Sequence, residues 1–87
     1  MELQVKAFLE TLSDGLYGSI DTKAMDVNFT PKQLAAIKES GYRVEIHLAD
    51  GSLYGVYNIA NGICINYNRR MRDEFELSIL ALLGITI

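Results

Sequence analysis

From Tyr42 to Asn68, apolar and polar residues alternate in three runs, YRVEIHLA, SLYGVYNI and ICINYN, separated by two glycine-containing turns. A period of two marks a strand with one buried face, so this stretch predicts a three-stranded antiparallel meander. Asp50-Gly51 suits a two-residue hairpin loop, which pairs Leu48 with Leu53, Ile46 with Gly55, Val44 with Tyr57 and Tyr42 with Ile59. Every member of that set is apolar or glycine, which makes it the core face. At the second turn a two-residue Asn61-Gly62 loop would place Ile63, Ile65 and Tyr67 on the opposite face, because a slip of one residue flips every side chain. A three-residue loop, Ala60-Asn61-Gly62, returns them to the core face and is the expected arrangement. Gly55 then lies under Tyr67, whose ring can cover the gap glycine leaves. The second face carries Arg43, Glu45, His47, Tyr54, Val56, Asn58, Cys64 and Asn66, a polar mixture expected to face water.

Three helices are predicted around this meander. Val5, Phe8, Leu9 and Leu12 recur at helical spacing and place a helix over about residues 2 to 13, ended by Asp14-Gly15. In residues 16 to 29, Leu16, Tyr17 and Ile20 read as buried, and Met25, Val27 and Phe29 alternate as in a short strand. A second helix is expected from Pro31 to about Ser40. Thr30 caps it, Gln33 completes a capping box, Phe29 and Leu34 form a hydrophobic staple, and Gly41 stops it. The last helix is expected from about Arg69 to Leu83, with Met71, Phe75, Ile79, Leu82 and Leu83 against the sheet. Leu77, Leu80 and Ala81 fall on another side, to be covered by the first helix or by a second subunit. Leu77, Leu80, Ile85 and Ile87 are therefore the candidate dimer interface, and Ile85-Thr86-Ile87 can dock on a sheet edge or on that subunit.

The chain of 87 residues, 49% hydrophobic and 22% charged, has the composition of one small globular domain spanning residues 1–87. Its net charge of −3 gives no long-range attraction to nucleic acid or anionic membrane. Cys64 is the single cysteine, which excludes an internal disulfide and a multi-cysteine zinc site and fits a reducing compartment. The amino terminus lacks the continuous apolar run of a signal peptide, and LSILALLGITI is shorter than the ~20 residues of a spanning helix. A cytoplasmic protein is expected.

Candidate chemistry is sparse. His47 stands two residues from Glu45 and is the only possible general base, but no nucleophile accompanies it, and Cys64 lies two pairing rows away. Arg69, Arg70 and Arg72 form the one basic cluster, at the start of a helix, where a phosphate can bind. Each has an acid four residues later, in Asp73, Glu74 and Glu76, as on an ordinary exposed helix face. No metal site and no cofactor motif is present.

The expected fold is α+β, a three-stranded antiparallel meander with a possible fourth short strand, packed against helices in the order α-(β)-α-β-β-β-α. In shortness, acidity and lack of catalytic residues the chain resembles the accessory proteins with which bacteriophages inhibit host enzymes, anti-CRISPR proteins among them. The likeness rests on size and composition, covers no motif and transfers no residue roles. The expected function is non-catalytic binding of another protein, through Arg43, Glu45, His47, Tyr54, Asn58, Asn66, Asp73 and Glu76, with a possible homodimer. The alternative is a small dimeric nucleic-acid-binding regulator using Arg69, Arg70 and Arg72.

Overall fold

A computed structural model describes the backbone of residues 2–69 and 74–86 and, within these, the side chains other than those of residues 66–69, 74 and 75. The chain is mostly β. Strands β1 (Glu2–Leu9), β2 (Leu16–Asp21), β3 (Asp26–Val27), β4 (Gly41–Leu48), β5 (Leu53–Ala60) and β6 (Ile63–Arg69) form one sheet in the order β3-β2-β1-β4-β5-β6. All neighbouring strands run antiparallel, and the sheet curls into a half-barrel. Helices α1 (Pro31–Ser40) and α2 (Glu74–Leu82) complete the fold. This corrects the expected α+β meander: the meander is half of a larger sheet.

The largest departure is at the amino terminus, where β1 replaces the expected helix. Leu3, Val5, Ala7 and Leu9 alternate as well as Val5, Phe8, Leu9 and Leu12 follow a helix, and the first set is the buried one. Phe8 turns to the other face and Leu12 is exposed. The strand wins because β1 lies between β2 and β4, paired from Glu2 to Ala7 on one side and from Leu3 to Leu9 on the other. Sequence periodicity carries no information about such distant partners. Gly15, at φ +75°, belongs to the β1–β2 connection and caps no helix. In β2, Ile20 is buried and Leu16 half-buried against the core, whereas Tyr17 is 61% exposed. Of the expected Met25–Phe29 strand, only Asp26–Val27 pairs.

Helix α1 follows its sequence signals closely. The Thr30 side chain accepts from the Gln33 amide, the Gln33 side chain accepts from the Thr30 amide, and Pro31 occupies the first turn. Phe29 is buried and Leu34 packs beside the core, the two partners of the staple. Gly41 ends the helix in an extended conformation and begins β4.

The β4–β5 hairpin has the expected central pairs, Val44 with Tyr57 and Ile46 with Gly55, but a different turn. Leu48 N–H donates to Ser52 O and Gly51 N–H to Leu48 O, so the loop holds three residues, Ala49-Asp50-Gly51, with glycine left-handed at φ +89°. His47 therefore faces Leu53, and a bulge at Tyr54 restores the register by Ile46. Leu53 loses its core place and is 42% exposed, while Tyr54 packs beside the core. At the far end of β4, Phe8 pairs with Arg43 and Leu9 with Gly41, so Tyr42 is the extra residue and is 64% exposed.

The β5–β6 turn reverses the expected length as well. Ala60 pairs with Ile63, and Asn61 and Gly62 both have positive φ, the signature of a two-residue type I′ loop. Ile63 and Ile65 are exposed and Cys64 is half-buried against the core, the inverse of the expected faces. A register shift then pairs Tyr57 with Tyr67 and Gly55 with Arg69. The ring over Gly55 belongs to Tyr57: a Cβ at Gly55 would lie 2.9 Å from the Tyr57 hydroxyl.

Both helices pack on one face, where Ile37 of α1 and Ile79 and Leu80 of α2 join Leu3, Val5, Ile20, Val44, Ile46, Tyr57, Leu83 and Ile85 in a single core. Leu80 and Ile85, expected at a dimer interface, lie inside this core; Leu77 is 54% exposed, and Ile87 lies outside the described residues. The last residues dock on the sheet edge, with Thr86 N–H donating to Gly62 O and Cys64 N–H to Thr86 O. Arg69 ends β6, so α2 starts later than expected; Arg70, Met71, Arg72 and Asp73 fall outside the described residues.

Candidate protein-binding face

The sheet face opposite the helices is built by the cross-strand pairs themselves. One row runs Ser19, Gln4, His47, Leu53; the next Tyr17, Lys6, Glu45, Val56; the third Phe8, Arg43, Asn58. Arg43, Glu45, His47 and Asn58, singled out from the sequence, are thus brought together.

Along β4 three of them form a connected ladder. Arg43 Nη2 lies 3.2 Å from Glu45 Oε2, and Glu45 Oε1 lies 3.0 Å from His47 Nε2. The guanidinium carbon of Arg43 sits 4.6 Å from the centre of the Phe8 ring, a cation–π contact worth about 0.5–1 kcal/mol. His47 Nδ1 is 3.1 Å from the Gly51 carbonyl, so the imidazole joins the ladder to the β4–β5 loop. Its other nitrogen faces Glu45, so both ring nitrogens have partners within the protein, and Cys64 packs beside the core.

Other expected site residues are placed elsewhere. Tyr54 packs beside the core, and Glu76 is buried at 2% exposure with the Tyr57 hydroxyl donating to its Oε1 at 2.5 Å. Asn66 pairs with Asn58 in register, and Asp73 lies outside the described residues. Of the arginine cluster, only the Arg69 backbone is described. Among the described residues no group of three or more His, Cys, Asp or Glu side chains is placed to hold a metal ion. No described helix is long and apolar enough to cross a membrane.

A cleft of about 510 Å³ opens at one end of the sheet, a feature the sequence reading missed. Its walls include Glu10, Glu39, Tyr42, Asn58, Ala60 and Ile65. Alternation predicts Tyr42 and Ile65 in the core; the bulge at Tyr42 and the two-residue Asn61-Gly62 turn, which put them outside, leave no trace in that pattern. Asn58 lies in both the cleft and the third row, which makes cleft and ladder one continuous surface.

Compared with family models, curated proteins and solved structures, the chain matches none of them.

Proposed function

We propose that the protein is a non-catalytic binding module that works by occupying the surface of another protein through the outer face of its sheet. The observation that supports this reading is that no described helix covers that face. Both helices lie on the core side, while the outer side combines the Arg43–Glu45–His47 ladder with the exposed Tyr17, Tyr42, Ile63 and Ile65. Aromatic and arginine side chains beside apolar surface are the groups that carry most energy at protein interfaces. An inhibitor or an adaptor acts in this way, by occupation alone.

The test is affinity capture from the source cell lysate with the full chain and with the Lys6→Glu/Arg43→Glu variant, each with and without nuclease. A protein retained in stoichiometric amount, insensitive to nuclease and lost with the variant, supports the reading. Equal retention by both chains removes this face from the interface, and loss of the captured material after nuclease replaces the reading with nucleic-acid binding.

A further inference from the structure

The cleft is more specific in its chemistry than the rest of the outer face. Its floor and walls join three separate parts of the chain: Glu10, just after β1, the end of α1 and start of β4 at Glu39 to Tyr42, and the β5–β6 hairpin at Asn58 to Asn61 and Ile65. Glu10 N–H donates to Ser40 O at 3.2 Å, which ties the first glutamate to the helix end that carries the second. That end is the negative pole of α1, where backbone carbonyls favour a cation. Among the described residues neither carboxylate enters an ion pair and no lysine or arginine lines the cleft. Lys38, next to Glu39, lays its methylenes along the β5–β6 turn, within 2.9 Å of where a Gly62 Cβ would stand, and Arg43, next to Tyr42, has its guanidinium on Glu45 and over Phe8.

Tyr42, Ile59, Ala60 and Ile65 give the cleft apolar wall as well. Tyr42 and Ile65 are 64% and 69% exposed, the first as the extra residue of β4 and the second through the two-residue turn that opens β6. An exposed aromatic ring beside two carboxylates matches a planar, weakly hydrated cation. Asn58 and Asn61 also line the cleft.

We propose that this cleft receives an arginine side chain of the partner protein, with the guanidinium between Glu10 and Glu39 and its apolar neighbours against Tyr42 and Ile65. The inference rests on the protein-binding reading above and deepens it by naming what the partner presents.

The test is an NMR titration of the full chain with acetyl-Leu-Arg-Leu-amide and, in parallel, with the same peptide carrying neutral, isosteric citrulline. The arginine peptide should shift amides at Glu10, Glu39 to Tyr42, Asn58 to Asn61 and Ile65. The citrulline peptide, and the Glu10→Gln/Glu39→Gln variant with the arginine peptide, should each bind about fivefold more weakly or worse. Both glutamates are exposed, so the variant is expected to keep its fold, which its own amide spectrum verifies. Shifts scattered over the surface, or equal binding of both peptides, overturn the arginine site. Failure here is separable from failure of the module reading: a partner captured through Lys6 and Arg43 and retained equally by the glutamate variant would leave the module standing without this contact.

Discussion

The two hairpins of the meander share β5, and each has a glycine at positive φ in its turn, yet they are built in opposite ways. The β4–β5 loop has three residues where two were expected, and the bulge at Tyr54 cancels the difference, so Val44 still meets Tyr57. The β5–β6 loop has two residues where three were expected, and the shift after Ile59 moves the register further the same way, so Tyr57 meets Tyr67. A register is the sum of a loop and its bulges, and alternation reports only that sum. Their surroundings differ too. Gly51 has open space about it, whereas Gly62 lies under the Lys38 side chain and beside the docked carboxyl-terminal segment.

Three measurements sharpen that contrast. The largest effect is expected from Ile85→Ala, which empties a buried site beside the β5–β6 turn and should cost about 3 kcal/mol in urea unfolding. Hydrogen exchange should accelerate first at Cys64 and Thr86, whose amides bond across that junction, with Leu48 and Gly51 slower to respond. Uniform acceleration would mean that the two turns belong to one cooperative unit.

The glycines come next. Gly62→Ala adds left-handed strain and a contact of 2.9 Å with Lys38 Cγ, and should cost about 2–3 kcal/mol; Gly51→Ala meets nothing within 4 Å and should cost only the strain, about 1 kcal/mol. Equal losses would show that the covering side chain yields freely.

The smallest effect is electrostatic. The Ser52 hydroxyl and amide both donate to Asp50 Oδ1, at 2.6 and 2.8 Å, and hold its carboxyl below the ordinary value of 3.8. A lowered carboxylate stabilises the fold at pH values above 3.8, and that contribution is lost as the pH falls through the depressed folded value. In an NMR pH titration the Ser52 amide should move with Asp50 below pH 3.8, and Asp50→Asn should abolish the movement.

The candidate face was legible because alternation within β4 alone puts Arg43, Glu45 and His47 on one side. Arg43, His47 and Asn58 each adjoin a register shift, yet each keeps its side of the sheet, and between β4 and β5 only the strand partner of His47 changes, from Tyr54 to Leu53. Tyr42, Leu53, Tyr54, Ile63 and Ile65 all adjoin bulges or turns and were misplaced, which is why the cleft went unseen. Glu76 reads as surface because Arg72, four residues earlier, offers it a charged partner on an exposed helix face. Its burial depends on Tyr57, nineteen residues away.

Local chemistry alone determined helix α1, through the Thr30–Gln33 box and Pro31, and the central pairing of β4 with β5, through alternation around a single turn. These signals act within a few residues, where the sequence is the whole environment. The tertiary structure decided that residues 2–9 form a strand, that Leu80 and Ile85 lie inside, and that the carboxyl-terminal residues close on β6. Each of those outcomes depends on backbone hydrogen bonds or apolar contacts between segments distant in the chain, and two periodicities that fit equally well are separated only when such a partner is in place.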